Sequence, residues 1–119
     1  MTGASRLLAV VAPILCAAGV ALGAYASHAA VVPLARERLG LAALFAFGHG
    51  LGLVALQSRT SRLAFAARGV LAVGVLLFSG SLAGAALAGL PTVAAPLGGM
   101  LMIAGWLLVA VDAARGTRA

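Results

Sequence analysis

The sequence predicts an all-α protein, an integral membrane bundle of four antiparallel transmembrane helices. Four stretches contain no Asp, Glu, Lys or Arg, and each is about long enough to cross the hydrocarbon core of a bilayer. Hydrocarbon offers no water to unpaired backbone groups, so such stretches are stable as helices. The composition agrees, because 64% of the residues are hydrophobic and 8% are charged, whereas soluble domains average roughly 45–50% and 25%. The predicted spans are residues 7–26, 39–56, 69–90 and 93–111.

Length and charge narrow the class further. The four spans and their connections occupy nearly all of the 119 residues, so we expect a single transmembrane domain over residues 1–119. A net charge of +6 would indicate nucleic acid in a soluble protein, but here the arginines lie at the ends of spans, where they meet lipid phosphates. We therefore expect no nucleic-acid partner. Cys16 is the one cysteine, which excludes an intrachain disulfide.

The first span has an alternative interpretation as a signal peptide, because small residues precede Ser27 in a pattern typical of a cleavage site. Its apolar run of about twenty residues is longer than the 7–15 typical of a signal peptide, so we expect a retained helix. Pro13 is expected to kink that helix, unless the helix starts late enough for the proline to lie in its first turn. Lipidation of Cys16 is not expected, because the bulky Leu15 precedes it.

The second helix is predicted to begin near Pro33, because proline fits the first turn of a helix. Three charged residues follow at 36–38 and place this helix start among the lipid headgroups. The next connection, residues 57–62, is the most polar stretch of the chain. Thr60 or Ser61 in this stretch is a suitable cap for the third helix.

The third helix is predicted over residues 62–90, which gives about 43 Å against a hydrocarbon core of ~30 Å. It must tilt or protrude, with Arg68 extending its side chain to the membrane surface. The third connection, residues 89–92, is short enough to form only an antiparallel hairpin. Pro96 then fits the first turn of the last helix.

Arginine placement predicts the orientation, because short cytoplasmic loops carry an excess of positive charge. The predicted spans divide the eight arginines between the two sides of the membrane. Six lie on one side, namely Arg6, Arg59, Arg62, Arg68, Arg115 and Arg118, and two lie on the other, Arg36 and Arg38. Both termini are therefore expected to be cytoplasmic, with the protein in the cell (inner or plasma) membrane.

Small residues recur at four-residue spacing in three of the spans. Because lipid is as apolar as leucine, membrane helices associate through close backbone approach, which small residues permit. We expect these glycines to pack the bundle, and a glycine face left over to meet another membrane protein or a second copy of the chain. They are Gly19, Gly23, Gly48, Gly52, Gly80 and Gly84.

Few polar residues lie inside the spans, and several are predicted at similar depth. Cys16, His49, Ser79 and Ser81 fall near the middle of the bilayer, and His28 lies near its outer surface. An ionisable residue inside a membrane is a functional candidate by default. The simpler interpretation is structural, with a neutral His49 that bonds Ser79, Ser81 or a backbone carbonyl and joins two helices.

Catalytic, metal and cofactor sites are not expected. A metal or haem would need a second imidazole at the same height, yet His28 and His49 differ in depth by some 15 Å on the predicted helices. A Cys16 nucleophile activated by His49 would lack both a residue to orient the base and an oxyanion motif. We therefore expect that the protein is not an enzyme.

A small multidrug exporter is an alternative with a similar length and number of spans. That resemblance depends on a carboxylate inside the first span, and this chain has none there. Its two acids are Glu37, between arginines, and Asp112, which we expect to pair with Arg115 three residues further on.

Several short motifs occur in a fixed order along the chain. They are residues 23–28 (Gly-Ala-Tyr-Ala-Ser-His), His49, residues 77–82 (Leu-Phe-Ser-Gly-Ser-Leu), residues 96–99 (Pro-Leu-Gly-Gly) and Gly105-Trp106. In this order they resemble the domain of unknown function 423 family, whose relatives include the transmembrane protein 256-like proteins. The resemblance covers most of the chain. It implies a small four-span membrane protein without an established biochemical activity.

These observations together favour a non-enzymatic membrane component or accessory subunit. Its expected partners are the lipid bilayer and other membrane proteins, or a second copy of the chain through the glycine faces. The alternative is a small transporter or channel for a neutral or lipid-like solute. A subunit should co-purify with a specific partner, whereas a transporter should move solute in liposomes on its own.

The orientation can be tested with engineered cysteines. A cysteine added after Ala119 should be shielded from membrane-impermeant thiol reagents in intact cells, because that terminus is predicted to be cytoplasmic. A cysteine in place of Leu34, in the outer connection, should react. External labelling of the C-terminal cysteine would contradict the predicted orientation.

Overall fold

A computed structural model describes residues 2–30 and 32–116, and these ranges contain four helices and no strand. The helices are α1 (Gly3–His28), α2 (Pro33–Leu56), α3 (Arg62–Ala88) and α4 (Ala95–Ala114). Each is long and apolar enough to cross a membrane, which confirms the predicted fold class. Arg118, one of the arginines used to predict the orientation, lies outside the described residues.

The helix ends follow the local chemistry of the sequence. Pro33 opens α2, as predicted, and Pro96 lies in the first turn of α4. Ser61 is the cap of α3, where its hydroxyl oxygen accepts a hydrogen bond from the Ala64 amide. Gly89 ends α3 with a φ of 68°, a left-handed conformation that glycine adopts without steric cost.

The helices pack in chain order, with α1 against α2, α2 against α3, and α3 against α4. Burial was compared over an apolar stretch of 18 residues in each helix. The buried share is 39% in α2 and in α3, but only 17% in α1 and 22% in α4. The two middle helices of the sequence are therefore also the central helices of the fold. The outer helices leave most of their residues uncovered by the rest of the protein.

Close backbone contact at two glycines joins α1 to α2. A Cβ added at Gly19 would lie 2.9 Å from the Ala43 carbonyl oxygen, and one added at Gly50 would lie 2.7 Å from the Ala12 carbonyl oxygen. Distances this short leave no room for a side chain, so the helices can touch only because these residues are glycines. The contacts progress in opposite directions along the two helices, which is the order of an antiparallel pair.

Glycines join α3 to α4 in the same way, and here they come from both helices. A Cβ added at Gly74 would lie 3.0 Å from the Gly98 carbonyl oxygen, and one added at Gly98 would lie 2.6 Å from the Gly74 carbonyl oxygen. Gly105 faces Leu71, whose side chain would be 2.7 Å from an added Cβ. These contacts also progress in opposite directions, while the antiparallel order of the complete bundle stays a prediction.

Only part of the predicted glycine set packs between helices. Gly19 does so, Gly23 has the Ala43 side chain near it, and Gly52 lies against Trp106. The expectation that α3 meets its neighbour through Gly80 and Gly84 is wrong. Gly84 faces Leu90, just beyond its own helix, and a Cβ added at Gly80 would find no atom within 4 Å. A Cβ added at Gly48 likewise meets nothing within 4 Å.

The arrangement keeps α2 and α4 apart. No Cα atom of α2 lies within 8 Å of a Cα atom of α4. Leu53 of α2 and Leu71 and Val75 of α3 fill the core between the central helices. Because α4 is held tightly against α3, a lateral groove remains between α2 and α4, with α3 as its floor.

The glycine contact between α3 and α4 can be tested with adjacent substitutions. Gly98→Ala should lower the free energy of unfolding by about 1–3 kcal/mol, because the new methyl group meets backbone atoms that cannot move aside. Gly99→Ala is the matched control, since its Cβ would lie 3.9 Å from the Phe78 ring. Thermal unfolding in mild detergent compares the two variants. Equal stability would contradict the close approach at Gly98.

Candidate functional site

An apolar groove lies between α2 and α4 at the middle of the helices, with a volume of about 410 Å³. All three neighbouring helices contribute to it. Its lining residues are Phe45, His49, Phe78, Gly99, Met102, Ile103 and Trp106. The groove is partly open, and its lining is almost entirely apolar.

A hydrogen bond between two side chains bridges this groove. The Trp106 indole Nε1 of α4 donates to the His49 Nε2 of α2 over 3.0 Å. An indole nitrogen is a donor only, so Nε2 must be unprotonated and the neutral ring carries its proton on Nδ1. The Nδ1–H group donates to the Phe45 carbonyl oxygen over 3.0 Å, one turn earlier in α2. Both ring nitrogens of His49 are therefore engaged.

Aromatic contacts fix the remaining walls of the groove. The Phe45 and His49 rings are stacked, with centroids 5.8 Å apart and an interplanar angle of 14°. Phe45 also meets Phe78 of α3, with centroids 4.7 Å apart. Contacts of this kind stabilise a defined side-chain arrangement beyond their burial. The position of the imidazole is thus set by a stacked ring on its own helix and an indole from α4.

Of the three partners expected for His49, the two serines are wrong, and the backbone carbonyl that it does bond, that of Phe45, belongs to its own helix. Ser79 donates instead to the Ala42 carbonyl oxygen of α2 over 2.9 Å, and Ser81 Oγ is buried without a partner among the described residues. His28 is the last residue of α1 and is exposed. The interhelical bond of His49 exists, but it reaches α4. The presence of Trp106 in the last span could have indicated this bond, because a buried indole N–H also requires an acceptor.

Cys16 takes no part in the groove. Its thiol donates to the Phe47 carbonyl oxygen at 3.8 Å, within the contact between α1 and α2. No three His, Cys, Asp or Glu side chains come together as a metal-binding group within residues 2–30 and 32–116.

A second polar cluster lies where α4 ends beside the connection between α2 and α3. Arg59 donates through Nε to Asp112 at 2.9 Å, and the Asp112 side chain is only 4% exposed. Ser61, the cap of α3, donates its hydroxyl to the same carboxylate. The expected pairing of Asp112 with Arg115 is therefore wrong. The Arg59–Asp112 ion pair connects the end of α4 to the α2–α3 connection. The hydrogen bond from Ser61 also connects Asp112 to the start of α3.

Arg68 also departs from its predicted position. It was expected to extend to the membrane surface, but it is only 6% exposed. Its Nε has no hydrogen-bond partner among the described residues. Native proteins rarely leave a buried charged donor unpaired.

Comparison with known families agrees with the motifs in the sequence. Residues 22–99 match the sequence profile of a family described as protein of unknown function (DUF423). The chain belongs to the DUF423 family. The matched region of this DUF423 protein includes His49, Arg59 and Arg68, whereas Trp106 and Asp112 lie beyond it. No curated protein and no solved structure matches the chain.

The hydrogen bond across the groove can be measured with a double-mutant cycle. His49→Phe and Trp106→Phe each remove one partner, and the coupling between them should be about 0.5–2 kcal/mol, the range of hydrogen bonds between membrane helices. Unfolding in mild detergent gives the free energies of the wild type, the two single variants and the double variant. His28→Phe is the control, because His28 is exposed and should leave stability unchanged. Additive effects of the two groove substitutions would contradict the bond.

Proposed function

We propose that this DUF423 protein is a non-enzymatic membrane component that acts as an accessory subunit. Its binding surface is the groove between α2 and α4, and its partner is a transmembrane helix of another membrane protein. The observation that carries the proposal is a lateral apolar groove whose rim contains an uncovered glycine.

The engagement of the polar side chains supports a non-enzymatic role. His49 uses both ring nitrogens in hydrogen bonds, and Ser79 donates to a backbone carbonyl of the neighbouring helix. Asp112 accepts from Arg59 and Ser61. A general base needs a free lone pair within reach of the proton that it takes. The free lone pair of neutral His49 already accepts from the Trp106 indole, and the Ser79 hydroxyl and the Asp112 carboxylate are held in hydrogen bonds to neighbouring segments.

The rim of the groove supports a helix as the occupant. Leu44 and Gly48 extend the groove along α2, next to Phe45 and His49. A Cβ added at Gly48 would meet no atom of this chain within 4 Å, so the glycine is not needed for the internal packing of the fold. Close backbone approach is what glycine provides between membrane helices. A lipid chain would fill the apolar groove without needing a glycine at its rim.

The proposed location is the cell membrane with both termini cytoplasmic. Among the described residues, five arginines lie at or near the start of α1, the α2–α3 connection and the end of α4, and two lie at the start of α2. The positive-inside rule assigns the end with more arginines to the cytoplasm.

Matched glycine substitutions test the binding surface. Gly48→Leu places a branched side chain on the rim of the groove and should reduce partner recovery by about fivefold or more, because overlap at a packed interface costs roughly 1–3 kcal/mol. Gly80→Leu is the control, since Gly80 is also exposed without atoms within 4 Å of its Cβ but does not line the groove. Co-purification from mild detergent, followed by quantitative mass spectrometry, compares the two variants.

Three outcomes separate the possible functions. Loss of one specific partner in Gly48→Leu and its retention in Gly80→Leu would support the accessory subunit. Loss of a dimer of this chain in the same pattern would make the partner a second copy. Movement of a neutral or lipid-like solute by the purified chain in liposomes, with no partner lost, would contradict the proposal and favour the transporter.

A further inference from the structure

A polar cavity lies far from the groove, between the start of α1 and the connection that leads into α3. Five of its lining residues carry hydrogen-bonding side chains, namely Ser5, Gln57, Arg59, Thr60 and Arg68, and its volume is about 240 Å³. It adjoins a second cleft that shares Ser5, Thr60 and Phe65 and reaches the first turns of α1 and α3. The cavity is therefore accessible from the end of the bundle.

Arg68 gives this cavity an uncompensated positive charge. It is 6% exposed, it lines the cavity, and its Nε has no hydrogen-bond partner among the described residues. Its Nε is enclosed by protein atoms, and no carboxylate of the described residues forms an ion pair with its guanidinium. Removing a charge from water costs several kcal/mol unless an opposite charge compensates it. The unpaired donor thus points to a missing anion.

Arg59 adds a second guanidinium to the same cavity. It uses Nε for Asp112, which leaves its two terminal amino groups for another acceptor. Asp112 is the one carboxylate at this end among the described residues, and it already accepts from Arg59 and Ser61. The start of α3 and the start of α1 both lie at this end, and helix N-termini favour negative charge.

The length of α3 indicates that the cavity lies near the lipid headgroups. Residues 69–88, the part of α3 beyond Arg68, form about 30 Å of helix, which matches the hydrocarbon core. Arg68 is therefore at the boundary of the core, and Ser5 and Thr60 lie further toward the headgroups. A phosphate at this depth would belong to a lipid or would enter from the aqueous side.

We infer that the cavity of Arg59 and Arg68 binds a phosphate-type oxyanion, carried by an anionic lipid headgroup or free in solution. Two guanidinium groups match the oxygens of a phosphate with forked, charge-assisted hydrogen bonds. Gln57, Ser5 and Thr60 supply further donors around the anion. This site is independent of the proposed partner groove, because the two cavities share no lining residue.

The test uses the full chain purified in mild detergent, with thermal unfolding as the readout. The probes are short-chain phosphatidylglycerol, phosphatidylcholine with the same acyl chains, and sodium phosphate against sodium chloride at equal ionic strength. Phosphatidylglycerol, phosphate, or both should raise the melting temperature of the wild type, because a ligand that binds the folded state stabilises it. A response to phosphatidylglycerol alone identifies a lipid headgroup, and a response to phosphate identifies a soluble anion.

Arg68→Gln should weaken binding of the active probe by about tenfold or more, the effect of losing a charge-assisted hydrogen bond. Without ligand, this variant should melt at the same or a higher temperature, because it removes an unpaired buried charge. Arg6→Gln is the matched control. Arg6 is an exposed arginine at the same end that does not line the cavity, so its variant should keep the affinity within about threefold.

A second measurement uses only the wild-type protein, so it does not require that the Arg68→Gln variant folds. In the wild type, the Arg68 Nε–H signal in the nitrogen-15 NMR spectrum should shift as the active probe saturates the site. Three results would each overturn the inference: no stabilisation by either anion, equal stabilisation by phosphatidylcholine, or unchanged affinity in Arg68→Gln. An Arg68 signal that stays fixed during a saturable response would also overturn it.

Discussion

Close backbone contact at glycines determines the arrangement of the four helices. Gly19 and Gly50 bring α1 against α2, and Gly74 and Gly98 bring α3 against α4, at distances that admit no side chain. Dispersion between closely packed backbones is what holds helices together in a solvent as apolar as their own side chains. Because α4 is held so closely to α3, no Cα atom of α4 comes within 8 Å of one in α2, and only side chains such as Trp106 cross between them. The lateral groove is a direct consequence of these two tight pairs.

Polar groups inside such a fold must find their partners within the protein, and most of them do. His49 reaches both its own helix and α4, and Ser79 closes a bond between α3 and α2. Asp112 ties the end of α4 to the connection before α3. Arg68 Nε and Ser81 Oγ are the contrast, since both are buried without a partner among the described residues, and of the two only Arg68 carries a charge. The same physical rule therefore explains the engaged polar groups and identifies the candidate anion site.

The helix starts could be predicted from the sequence, because they depend on residues that are neighbours along the chain. Contacts between helices could not, because they depend on which face each helix turns towards the others. Pro33 and Ser61 act within one turn of the chain, so the helix starts followed from local chemistry. Gly80 fits a four-residue spacing as well as any packing glycine, but that spacing does not say which face of a helix turns inward. The His49–Trp106 bond joins residues 57 positions apart, and its prediction would have required the packing of α4 on α3. Arg68 was placed at the surface because an arginine near a helix end usually extends there.

The bond between Trp106 and His49 can be measured directly, because the chain has one tryptophan and two histidines. Nitrogen-15 NMR of the protein in mild detergent reports which ring nitrogen of His49 carries the proton and whether the indole nitrogen couples to the other one. The groove geometry predicts a neutral ring with its proton on Nδ1 and a coupling between Trp106 Nε1 and His49 Nε2. A proton on Nε2, or an indole N–H without coupling to His49, would contradict the bridge between α2 and α4.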